Sequence, residues 1–224
     1  MGVIDAKENE LCNNVLDTQA YKMYTPELLA AWTSAFKETP PARVNLFGIV
    51  DVERYDPEVG ILFIGRETND WKDADFCEGK WFRQWLCRMT KCGGRDMDFT
   101  RNMWYNIGRW AMLLQNPDAD LAQLAALKSE VLPAIGTIAF TNINKVRGKA
   151  QCGKKFWTLA KNPITGTVLQ REIEILQPKI VVCCGTKWIF DQHVPDYPGK
   201  VVDMPHPGAR KNKQEMLLRL KAQL

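Results

Sequence analysis

The stretch GILFIGRETND, residues 60 to 70, decides how the chain is read. Consecutive apolar residues, Ile61 to Ile64, run into a glycine and then into Arg66, Glu67, Thr68, Asn69 and Asp70. A run that is apolar at every position, rather than at every second one, belongs to a strand buried on both faces, the habit of parallel sheets. Three more runs share that character: TIAFTNI (137 to 143), KIVVCCG (179 to 185) and KVVDM (200 to 204).

Helical patterns separate these runs. Thr25-Pro26-Glu27 is a helix start with proline at the first position, and Leu28, Leu29, Trp32 and Phe36 follow on one face. Trp104, Ile107, Ala111 and Leu114 form a second stripe ended by Asn116-Pro117. Leu169, Ile173 and Leu176 form a third, ended by Gln177-Pro178, and a last helix after Pro207-Gly208 carries Leu217, Leu220 and Leu224. Strands alternating with helices predict an α/β fold: a three-layer α/β/α sandwich around a central four-stranded, mostly parallel sheet. At 224 residues the chain has material for one good core, so residues 1–224 are expected to form a single domain. Residues 1–59 are expected to be a helical N-terminal elaboration and residues 60–224 the α/β core.

No apolar run approaches the roughly 18 residues that span a bilayer, and no apolar leader follows Met1. The seven cysteines are odd in number, and Cys183 and Cys184 are adjacent, which does not suit a disulfide framework. A soluble, cytoplasmic chain with reduced thiols and no membrane contact is expected. With two histidines and no C-x-x-C spacing, neither a metal site nor a cofactor is expected.

The net charge of +4 is unevenly spread, since residues 1 to 60 carry five Lys/Arg against ten Asp/Glu. TNINKVRGKAQCGKK (141 to 155) has five cations and no acid, and PHPGARKNKQEMLLRLKAQL (205 to 224) five cations and one acid. Such clusters suit a polyanion, although solvated loops and a helix face would look the same. In open α/β sheets ligands sit beyond the carboxyl ends of the strands. Here those ends carry Glu67, Asn142 and His206, so a carboxylate, a carboxamide and an imidazole are expected to converge on one crevice.

That set, in that order, resembles the uracil-DNA glycosylase superfamily. GRETN stands for the motif after the family's first strand, FTNINKVRG for the asparagine at the end of a later strand, and PHPGAR for the HP[S/A/G] motif after the last one. The resemblance spans roughly residues 60 to 220 and implies a monofunctional DNA glycosylase that flips out a pyrimidine and leaves an abasic site. By position it implies that Glu67 orients or activates water and faces the sugar cation, and that His206 donates to the pyrimidine O2 as the base leaves. It also implies that Asn142 reads the Watson-Crick edge. Phe82 is the expected stacking partner of the base, with Trp71 and Trp81 as competitors. Gly208, Ala209 and Arg210 fall where the family wedges a loop into the duplex. Lys145, Arg147, Lys149, Lys211 and Lys213 are expected to bind phosphates. The partner implied is DNA, and the chain is expected to act as a monomer.

The sequence departs from the family pattern in two ways. Thr68 replaces the usual proline and Asn69 the usual tyrosine or glycine, which removes the bulk that excludes substituents at pyrimidine C5. A roomier pocket implies a C5-modified cytosine, such as glucosylated hydroxymethylcytosine of phage DNA, and a role in defence. Plain uracil in base excision repair and a catalytically inactive DNA-binding relative stay open as alternatives. Only Cys12 precedes the first motif, so the cysteine pair of the family's iron-sulfur branch is missing. A nucleotide-dependent enzyme using residues 148 to 155 is a further alternative: that run matches GxxxxGK but has lysine where a phosphate loop needs Ser or Thr. His193, near Pro195 and Pro198, reads as a loop residue.

Overall fold

The computed structural model describes residues 25–36, 47–67, 81–92, 102–145 and 152–224. The four apolar runs form strands β2 (Ile61–Gly65), β3 (Ala139–Asn142), β4 (Ile180–Cys184) and β5 (Lys200–Met204). They pair in parallel, in the order β3-β2-β4-β5, with Gly65 opposite Asn142 and Ile64 opposite Cys183. A fifth strand, β1 (Gly48–Ile49), adds to the outer edge of β3 in the antiparallel sense. The sheet is therefore five-stranded, not four-stranded, and residue 60 is not the start of the core. Phe47 and Val50, which flank β1, are buried in it.

Alternate residues of β2 explain why the run is apolar throughout. Ile61 and Phe63 enter one cluster with helices α2 (Trp81–Cys92), α3 (Asn102–Gln115) and α4 (Leu121–Ala126) and the 3-10 stretch Ser129–Thr137. That cluster also takes Met216, Leu217 and Leu220 of α8 (Lys213–Lys221). Leu62 and Ile64 point the other way, into a cluster with α1 (Pro26–Phe36), α5 (Lys154–Ala160), α6 (Pro163–Leu176) and α7 (Lys187–His193). Helices therefore cover both faces of the sheet. Each fully buried Leu, Ile or Phe stabilises this arrangement by about 1.5–3 kcal/mol relative to exposure.

Local signals set most helix ends. Asn162 caps α6 by accepting from the Ile164 amide at 3.0 Å, with Pro163 at the first helical position. The same helix stops at Gln177, held at φ 43° before Pro178. The last helix starts later than its proline-glycine signal implies: Asn212 caps it by accepting from Gln214 and Glu215, so Lys211 stays in the loop and Leu224 lies beyond the end. His193 is the final residue of α7, and its Nε2 donates to the Ala160 carbonyl at 2.7 Å, so it is a packing residue and not a loop residue.

Candidate functional site

The chain leaves β2 for β3 on one side and returns to β4 on the other. Such a reversal opens a crevice at the carboxyl ends of the strands. Two backbone bonds carry the β2–β3 pairing beyond the strands: Ile143 N donates to Gly65 O at 3.0 Å and Asn144 N to Arg66 O at 2.8 Å. They deliver Asn142 and Asn144, two residues apart, to this end of the sheet, and both are buried. Gly65 is required here because a Cβ would overlap the Asn142 Oδ1. The Asn144 Nδ2 donates to the Glu67 Oε2 at 3.1 Å, so the carboxylate after β2 is oriented from the end of β3.

Arg66 connects the rest of this edge. Its Nε donates to the Gly185 carbonyl at 3.1 Å, across the opening between β2 and β4. Gly185 takes a left-handed φ of +71° and lies against the guanidinium, an approach that a side chain there would obstruct. On the other side the guanidinium carbon lies 5.9 Å from the Trp157 ring centroid. Cys152, just before α5, lies close enough to Glu67 and Arg66 to feel both charges. Burial first, and then the Glu67 carboxylate, push its thiol above the ordinary range, and Arg66 opposes them, so it is a neutral thiol near neutral pH.

His206 follows β5 in a turn pinned at several points. Its Nδ1 accepts from the Gly208 amide at 3.1 Å, the Ala209 amide donates to its carbonyl at 2.9 Å, and the Asn106 Nδ2 of α3 donates to the Pro207 carbonyl at 2.7 Å. With Nδ1 accepting, the neutral ring carries its proton on Nε2. Burial, and after it the positive charge of Arg66, hold His206 below its usual pKa, so the neutral donor is the form present at pH 7. Gly208, Arg210, Lys211 and Lys213 are exposed around it and Ala209 is half-buried.

Glu67, Asn142 and His206 thus follow or end β2, β3 and β5 at the carboxyl end of the sheet, where Asn144 bonds Glu67 and the charge of Arg66 acts on His206, and the cations after His206 face solvent. Lys145 does not join them. It turns inward to place its ammonium 2.5 Å from the Glu172 Oε1 of α6 and 2.6 Å from the Thr141 Oγ1, with side-chain exposures of 4% for the lysine and 1% for the glutamate. Burial pushes it below the ordinary lysine range, against the pull of Glu172. The assignment of Lys145 to phosphate binding is therefore corrected: a charge committed to a buried partner is not available to a ligand. Position 82 lies in α2, but the Phe82 side chain, like Asn69, Trp71, Arg147 and Lys149, is outside the described residues.

Reading by strand ends alone passed over Arg66, Asn144 and Cys152, as well as Trp157 and the neighbouring Trp188. Arg66 and Asn144 had a signal, since each stands within two residues of a strand end. The tryptophans had none, because their meeting depends on α5 lying beside α7. Gly153-Lys154 of the GxxxxGK run opens α5, although that helix starts well after the end of β3. Among the described residues no group of three or more His, Cys, Asp or Glu is arranged to hold a metal ion, and no helix is long and apolar enough to cross a membrane. Comparisons of the chain with protein-family models, curated proteins and solved structures return no match.

Proposed function

We propose that this protein is a DNA N-glycosylase that flips out a pyrimidine and hydrolyses its glycosidic bond. The observation that carries the reading is a carboxylate and a neutral donor at the same end of the sheet: Glu67, oriented by Asn144 after β2, and His206, kept neutral by burial and the charge of Arg66 after β5. Cleavage builds positive charge on the sugar and negative charge on the departing base, and this pair has a group for each. A water held by Glu67 attacks the anomeric carbon and gives its proton to the carboxylate, while the bonding pair leaves with the base. His206 Nε2–H donates to the base O2 as charge develops there, and the base takes up a proton from solvent. The Asn142 amide, packed over Gly65, offers a donor and an acceptor to the Watson-Crick edge. Arg210, on the exposed turn, fills the space of the flipped nucleotide, while Lys211 and Lys213 contact phosphates.

The substrate we favour is a C5-modified cytosine, because Asn69 stands where a tyrosine would exclude such a group. The test is base release from duplexes carrying uracil, mismatched thymine, hydroxymethylcytosine or its glucosylated form, with Glu67→Gln as control. Release that the control abolishes supports the glycosylase, and better release of uracil than of every C5-substituted base removes the substrate preference. Tight DNA binding without any release replaces the reading with that of a binding protein.

A further inference from the structure

Trp157 of α5 and Trp188 of α7 stack on each other with ring centroids 5.7 Å apart and planes 30° apart, yet remain 39% and 40% exposed. Two indoles brought together and left open to water are not core packing. Their buried neighbours, Phe156 on α5 and Ile189 and Phe190 on α7, already fill the cluster beneath. The stack is continuous with the candidate site, because Trp157 also meets the guanidinium of Arg66, the residue before Glu67. α5 supplies the exposed cations Lys154 and Lys155 and no acid.

We infer that Trp157 and Trp188 form a stacking platform for an unpaired base of the DNA strand that carries the target nucleotide. The inference rests on the DNA reading above and extends it to a second, sequence-tolerant contact. Three properties select this occupant. Indole faces match the flat π-face of any base, which only an unpaired nucleotide can offer, since bases in a duplex cover one another. The cations of α5 complement the phosphates of the same strand. Arg66 extends the run of flat groups from the platform to the hydrolytic edge, so a strand stacked here is led towards Glu67.

The test is fluorescence anisotropy of the full-length protein with fluorescein-labelled strands of about 12 nucleotides, within the usual site size of such surfaces. One strand has mixed, unmodified bases and the other is built of abasic sugar-phosphate units. Trp188→Leu keeps apolar bulk and removes the π-face, and Trp188→Phe restores a smaller one. The Leu variant is expected to bind the base-bearing strand roughly tenfold more weakly and the abasic strand unchanged, with Phe recovering most of the loss. Equal weakening on both strands, no weakening on either, or equal behaviour of Leu and Phe overturns the platform. Because these strands need no turnover, failure of the base-release panel with the platform result intact would reject only the glycosylase.

Discussion

Replacing Lys145 by methionine separates a structural lysine from a DNA-binding one. The ammonium lies 2.5 Å from Glu172 and 2.6 Å from Thr141, and both members of the ion pair are almost wholly out of water. Removing one partner of such a pair leaves a buried, uncompensated charge and costs about 3–5 kcal/mol. For a domain of this size each kcal/mol lowers the melting temperature by about 2–4 °C, so Lys145→Met is expected to melt roughly 6–20 °C lower. Glu172→Leu in the same background removes the stranded carboxylate and should recover most of the loss, because a hydrophobic replacement of both partners is often neutral or stabilising. Differential scanning calorimetry of the two singles and the double gives the coupling energy. DNA affinity measured against salt gives the second readout, and its slope should not change. A melting temperature within about 2 °C of wild type, with a salt slope shallower by about one, would refute the buried pair and return Lys145 to the phosphate contacts.

Gly65→Ala should displace the Asn142 amide, since the new Cβ overlaps its Oδ1; a misplacement of that size at a recognition group costs up to roughly 100-fold in kcat/KM, read in the base-release assay, with DNA affinity unchanged. His206 is held below its usual pKa, so the base-release rate should stay level as pH falls past the ordinary histidine value and drop only at lower pH, where the ring becomes protonated. The same shift makes the unfolded chain bind the proton first, so stability should decline as pH falls below about 6.5, a decline that His206→Gln removes in pH-dependent urea titrations. Lys211→Ala with Lys213→Ala, both exposed, should weaken DNA binding and lower the log-log salt slope by roughly two while leaving the melting temperature within about 2 °C.

The strands were legible because their signal is local. Ile61 to Ile64 are apolar without a break, and the structure uses both faces of that run. The helix start at Pro26 was legible for the same reason, since a first-turn proline acts over a few residues, whereas the start at Pro163 was not singled out. The two-residue β1 was not, because so short a strand leaves no pattern and exists only through its pairing with β3. The candidate site divides along the same line. Glu67, Asn142 and His206 could be picked out as polar residues at strand ends, whereas their links could not: Asn144 reaches Glu67, and Arg66 reaches Gly185, only once the order β3-β2-β4 sets those ends side by side.

The sequence alone determined that this is an α/β chain whose strand ends carry Glu67, Asn142 and His206, because backbone period and residue type are local properties. Tertiary structure alone decided that Lys145 faces inward, that Arg66 links the site to Trp157, and that Trp157 meets Trp188. Burial and charge pairing belong to contacts between residues far apart in the chain, and those contacts exist only when the sheet has formed.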